Sequence, residues 1–142
     1  MKNKGFTFIE LLAVIVILGI IALITVPTIL AIVNDSRIGS AENSAAGIHA
    51  SAQNYYMNYL VTNQGNFPET TIYCDGTACG AGTPEAVTTE LLNFNGTIPT
   101  SGTIMIDTAG VITYESSPNL IINGYDCNYG ATTGSTGSWT CT

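Results

Sequence analysis

The sequence is short of positive charge. Lysine and arginine together number three against ten aspartates and glutamates, and there is one histidine. The three basic side chains are Lys2, Lys4 and Arg37. Nucleic-acid binding rests largely on lysine and arginine set against phosphate, so no direct nucleic-acid binding is expected of this chain. His49 stands alone in a helical stretch, with no motif around it that would build a Ser-His-Asp set. It reads as a helix-surface or subunit-contact residue beside an apolar stripe. Charged residues make up only 9% of the chain, and Ser, Thr, Asn and Gly supply most of the surface-type positions. No internal repeat is visible. An enzyme is not expected, and neither is a cofactor.

The scarcity of charge is most complete between Gly5 and Val33, where Glu10 is the one ionisable residue. A helix rises about 1.5 Å per residue, so this run reaches roughly 40 Å, more than the ~30 Å of a bilayer's hydrocarbon core. It is also longer than the ~7–15 apolar residues of a secretory signal. Asn34-Asp35-Ser36-Arg37 follows it, with no small-residue cleavage site. The run reads as a retained membrane helix. Lys2 and Lys4 precede it, which places the N-terminus in the cytoplasm and the remainder outside.

Glu10 is costly in such a setting, because a carboxylate in hydrocarbon needs a partner or a function. No cation lies within a helical turn on its C-terminal side. Cutting the chain after Gly5 would create one, the α-amine of Phe6. Lys4-Gly5 followed by Phe6-Thr7-Phe8-Ile9-Glu10-Leu11-Leu12 resembles the processing site of the type IV pilin family. The resemblance covers Met1 to Val33 closely and the rest in architecture only. It implies removal of residues 1–5 by a prepilin peptidase and N-methylation of Phe6. Residues 6–33 then form the membrane and polymerisation helix, and residues 34–142 an extracellular head.

The implied fold is α+β, the pilin fold: a long N-terminal helix whose second half packs on a small antiparallel sheet. The implied function is that of a structural subunit, the major pilin of a type IV pilus for adhesion, motility or DNA uptake. It would polymerise with copies of itself and minor pilins through the pilus assembly machinery, passing from single-pass membrane protein to surface filament. The alternative is a pseudopilin of a type II secretion or competence system. A membrane-anchored binding domain that never polymerises fits less well, since an anchor has no use for Glu10. Within the helix, Gly19 and Pro27 bracket a β-branched stretch. Gly costs about 1 kcal/mol against Ala and an interior Pro about 3 kcal/mol, so Gly19 to Pro27 is expected to be its weakest part.

Beyond Val33 the helix is expected to continue to Val61–Gln64. Ile38, Ala41, Ala45, Ile48, Ala52, Tyr55 and Tyr59 step by threes and fours along one stripe. Gly65 to Thr83 reads as a loop with one apolar run, Thr71-Ile72-Tyr73. Thr83-Pro84-Glu85 reads as a helix start, giving a short helix from Pro84 to Leu92 that ends at Asn95-Gly96. Three or four antiparallel strands are expected after that. Asp107-Thr108-Ala109-Gly110 marks one turn, and Asn123-Gly124 a hairpin.

Four cysteines in an oxidising compartment form disulfides, and four allow three pairings that the sequence does not choose between. In the pilin family a C-terminal loop is often closed by a bridge, and Cys127 with Cys141 sits in that position. Cys74 and Cys79 flank a turn-forming Asp-Gly-Thr-Ala. Pairing sequence neighbours, Cys74–Cys79 and Cys127–Cys141, closes the shortest loops at the least entropy cost. Their spacing is not a common zinc pattern. Asp107, Glu115 and Asp126 do not form a dedicated calcium loop, and no metal is expected. Asn34-Asp35-Ser36 and Asn95-Gly96-Thr97 match the glycosylation sequon, a pattern common by chance.

Overall fold

The computed structural model describes residues 5–115, 119–130 and 137–142. The chain divides into two compact units, Met1–Ser36 and Arg37–Thr142. Helix α1 runs through Phe8–Thr62. Its end is set by backbone geometry: Gln64 takes a left-handed conformation (φ 58°), and the Gly65 N–H donates back to the Leu60 carbonyl at 2.9 Å. That is the Schellman arrangement, which satisfies one of the carbonyls a helix end leaves open.

The second unit holds eight strands among its described residues. These are β1 Thr70–Cys74, β2 Cys79–Thr83, β3 Ala86–Glu90, β4 Gly102–Ile106, β5 Ile112–Tyr114, β6 Leu120–Ile122, β7 Tyr125–Gly130 and β8 Ser138–Cys141. Five form one antiparallel sheet in the order β3-β2-β1-β4-β5, and three form a second, β6-β7-β8. A single antiparallel bridge, Ser101 to Ile121, links the sheets. The chain is therefore α+β, a long helix packed against antiparallel sheet, with more strands than the three or four expected.

Within the second unit the helix stripe does what its spacing suggests. Ala41, Ala45, Ile48 and Ala52 are fully buried, in one core with Ile72 of β1, Ile104 and Ile106 of β4, and Ile122 of β6. Three of the four helix positions are alanine, so the sheet can come close to the helix backbone. Phe67 plugs one end of this core, with Tyr55, Tyr56 and Tyr59 set edge-on around it at centroid distances of 6.0, 4.9 and 5.1 Å.

Two expectations are corrected here. The stretch from Gly65 to Thr83 is not a loop, because it contains β1 and β2, and β1 is the middle strand of the larger sheet. The short helix from Pro84 to Leu92 is absent; β3 lies there, antiparallel to β2. Thr83 Oγ1 does accept a hydrogen bond from the Ala86 N–H at 3.2 Å. That bond opens a helix or closes a turn with equal ease, and here it closes a hairpin. Gly80 settles the matter: a Cβ there would lie 1.8 Å from the Thr89 carbonyl oxygen, so the two strands meet where no side chain fits. The Asp75 carboxylate adds a clasp, accepting from the Thr77 hydroxyl at 2.6 Å and from the Val87 N–H at 2.7 Å. Those bonds, the Thr77 hydroxyl first, hold Asp75 well below the usual carboxylate range. Asn95-Gly96 consequently ends no helix, and the adjoining Thr97 N–H donates to Ser44 Oγ at 3.1 Å.

The hairpin read at Asn123-Gly124 is present between β6 and β7, with φ of 55° and 84°. Both residues at positive φ is the requirement of a type I′ turn, which matches strand twist.

Ile48 is wholly buried and Val61 is 83% exposed on the same helix. Ile48→Ala should cost about 2–5 kcal/mol, as a buried large-to-small change does, and Val61→Ala less than about 0.5 kcal/mol. Denaturant unfolding of the detergent-solubilised chain measures both.

Candidate functional site

The site begins where α1 begins. Gly5, Phe6 and Thr7 precede the helix in irregular backbone, and Phe6 is 85% exposed. The Gly5–Phe6 peptide bond is thus open to an approaching protein. A Cβ built on Gly5 meets nothing within 4 Å. The fold itself makes no demand for glycine there, so any such demand belongs to whatever acts on the bond.

Glu10 is held by Thr7. Its Oε2 accepts from the Thr7 N–H at 2.9 Å and from the Thr7 hydroxyl at 2.9 Å. In return Thr7 Oγ1 accepts from the Glu10 N–H at 3.4 Å. The Thr7 carbonyl also accepts from the Glu10 and Leu11 N–H groups. Thr7 and Glu10 form a capping box, each satisfying a donor that the helix start leaves open. Among the described residues the Glu10 carboxylate is satisfied by Thr7 and meets no cation. The Thr-x-x-Glu spacing ahead of an apolar run was the signal for this cap, and the reading of Glu10 as a carboxylate in search of a cation passed over it.

The helix then runs unbroken through Gly19 and Pro27. Pro27 gives the Leu23 carbonyl no N–H. Nearby, the Thr25 and Thr28 hydroxyls bond back to the Ile21 and Ile24 carbonyls at 3.0 and 3.2 Å. Nothing stands within 4 Å of a Cβ built on Gly19. Every large apolar side chain here is exposed, including Leu23 at 79%.

The cysteines lie apart from this region, in the second unit. Cys74 is bonded to Cys79 across β1 and β2, and Cys127 to Cys141 across β7 and β8. Each pair sits directly opposite in the strand register, with Cα atoms 4.2 and 4.1 Å apart. Asp107, Glu115 and Asp126 are not gathered. Asp107 caps the β4–β5 turn through the Ala109 and Val111 N–H groups, and Asp126 accepts from the side-chain amides of Asn119 and Asn128. No group of three or more metal-ligating side chains occurs among the described residues.

His49 has more structure around it than its isolation in the sequence suggested. Its Nδ1 is 2.7 Å from the Tyr114 hydroxyl and its Nε2 is 3.1 Å from Gln53 Nε2. Its ring stacks on Tyr129 at 4.7 Å, and Trp139 packs edge-on to Tyr114 at 4.8 Å. The histidine pins α1 to β5 and β7. These contacts join helix to sheet.

The N-terminal geometry meets its sequence evidence here. Residues 1–26 match the model of the prokaryotic N-terminal methylation motif. The chain carries the type IV prepilin signature. Comparison with curated proteins and with solved structures gives no significant match. A prepilin signature on an exposed apolar helix supports a type IV pilin-like or pseudopilin protein, a structural kind that is not typically enzymatic. It implies processing by prepilin peptidase and assembly into pili, and it fits anchoring in a membrane beforehand.

The prepilin cap and the histidine joint each generate a test. Thr7→Ala removes the hydroxyl cap, a loss of about 0.5–2 kcal/mol. Amide exchange in micelles should quicken at Glu10 and Leu11 and stay unchanged past Gly19. Burial lowers the His49 pKa from 6.5. The unfolded chain therefore binds more protons below that value, and stability falls with falling pH. The contribution is whole above pH 6.5 and is lost progressively below it. Unfolding curves between pH 7 and pH 5 should show this slope (the window as set by the ordinary histidine range), and His49→Phe should abolish it.

Proposed function

We propose that this chain is the major structural subunit of a type IV pilus. The observation that carries the reading is an exposed, charge-poor helix that begins directly after an accessible Gly5–Phe6 bond and carries one capped carboxylate. In this reading residues 1–5 are a leader, residues 6–33 the membrane and polymerisation helix, and residues 34–142 the extracellular head. Prepilin peptidase cuts after Gly5, and the new Phe6 amine is methylated.

Glu10 then exchanges partners. In the single chain Thr7 satisfies its carboxylate; in the filament the carboxylate neutralises the Phe6 ammonium of a neighbouring subunit. The capping box supports this, because it lowers the cost of carrying Glu10 before a cation arrives. The filament grows as a homopolymer with minor pilins at the machinery's direction. Gly19 to Pro27 becomes partly extended there, which lengthens the fibre under load. The exposed Thr25 and Thr28 hydroxyls, already bonded to backbone carbonyls, are the local substitutes when helical bonds are lost.

Electron microscopy of sheared surface fibres, with intact-mass analysis of their subunits, tests the proposal. Long extracellular fibres whose subunit begins at N-methylated Phe6 support the major pilin. Fibres confined to the envelope select the pseudopilin instead, and a subunit beginning at Met1 rejects both. Glu10→Ala should still insert and be cut but assemble poorly, since a buried charge left alone costs about 3–5 kcal/mol. Equal fibre yield from Glu10→Ala and the parent chain would remove the partner exchange.

A further inference from the structure

The two sheets of the second unit part beside β4. Ile104 to Ile106 of β4 pair with β5, while Ser101, just ahead of β4, bridges to Ile121 of β6. Strands β5 and β6 thus flank successive stretches of one segment without pairing with each other. A crevice of about 300 Å³ opens there, lined by residues of β5, β6 and β7.

Among the described residues Glu115 is the one charged side chain lining this crevice, and no lysine, arginine or histidine joins it. Its backbone N–H donates to the Thr103 carbonyl at 3.2 Å, which fixes it to β4. Asn119 and Asn128 also line the crevice, and both are oriented from behind. Asp126 accepts from Asn119 Nδ2 at 2.6 Å and from Asn128 Nδ2 at 3.3 Å. An ionised carboxylate only accepts. Both amides therefore turn their nitrogens toward Asp126, which leaves their carbonyl oxygens to accept elsewhere.

Tyr114 and Tyr129 add two aromatic rings, with centroids 5.7 Å apart. The Tyr114 hydroxyl is engaged with His49 Nδ1 at 2.7 Å, so its ring is what Tyr114 offers the crevice. These groups favour one kind of guest. A ring face attracts a cation, and a carboxylate forms its strongest hydrogen bonds with a charged donor. An anion would meet Glu115 with no cation to balance it, and an apolar guest would desolvate Glu115 without a partner.

We propose that this crevice binds an alkylammonium group, carried by a free diamine or by a lysine side chain of another protein. The three donors of the ammonium meet the Glu115 carboxylate and the carbonyl oxygens of Asn119 and Asn128, and its alkyl stem lies against the tyrosine rings. The proposal concerns the single subunit and stands apart from the filament reading.

Trp139 is the chain's one tryptophan and packs on Tyr114 and Tyr129 at 4.8 and 5.2 Å, so its fluorescence reports what enters the crevice. Putrescine titrated at low salt into the detergent-solubilised full chain should change that fluorescence saturably. Glu115→Gln, at an exposed position the fold does not depend on, should weaken binding at least tenfold. Glu90→Gln removes the same charge from β3, outside the crevice, and should stay within about twofold of the parent. Equal weakening by both variants would reduce the effect to diffuse charge attraction and overturn the site. A flat titration in fluorescence and calorimetry alike would overturn it too, as would saturation by glucose with none by putrescine. N-acetyl-lysine methylamide separates the two sources. Binding as tight as putrescine's supports a partner's lysine as the guest, and binding at least tenfold weaker supports the free diamine.

Discussion

The constraint on which everything else depends is a helix that its own chain leaves uncovered. From Phe8 to Val33 the large apolar side chains of α1 are all exposed. Burying one such side chain is worth about 1.5–3 kcal/mol, so the sum over this stretch far exceeds the stability of an ordinary domain. The segment has to lie in lipid or against other protein. Both settings penalise charge, which explains why Glu10 stands alone and why even Glu10 is tied to Thr7.

The second unit answers a different problem with the same helix. Its part of α1 serves as the spine of a small core, and the residues that make the contact are mostly alanine. A thin core of this kind supplies limited burial, and the two disulfides add covalent closure across adjacent strands. One staples the β1–β2 hairpin in the larger sheet, and the other fastens the C-terminal strand β8 to β7 in the smaller. The His49 contacts then tie the helix to β5 and β7. These contacts hold the unit's shape.

Local sequence alone determined a good deal of this. The length of α1 was legible because an apolar run leads directly into the stripe Ile38 to Tyr59, and the described core uses that stripe. The type I′ turn at Asn123-Gly124 was legible because few residues accept positive φ twice in succession. The prepilin signature was legible because Gly5, Phe6 and Glu10 form a local pattern within residues 1–26. Tertiary structure decided what local signals leave degenerate. Thr83-Pro84-Glu85 can open a helix or close a hairpin with the same hydrogen bond, and pairing with β2 across the bare backbone of Gly80 chose the hairpin. Thr71-Ile72-Tyr73 is too short to declare itself a central strand until β2 and β4 flank it. The segment from Leu91 to Asn95 returns to lie beside a helix face more than thirty residues away in sequence, a juxtaposition that no local period encodes.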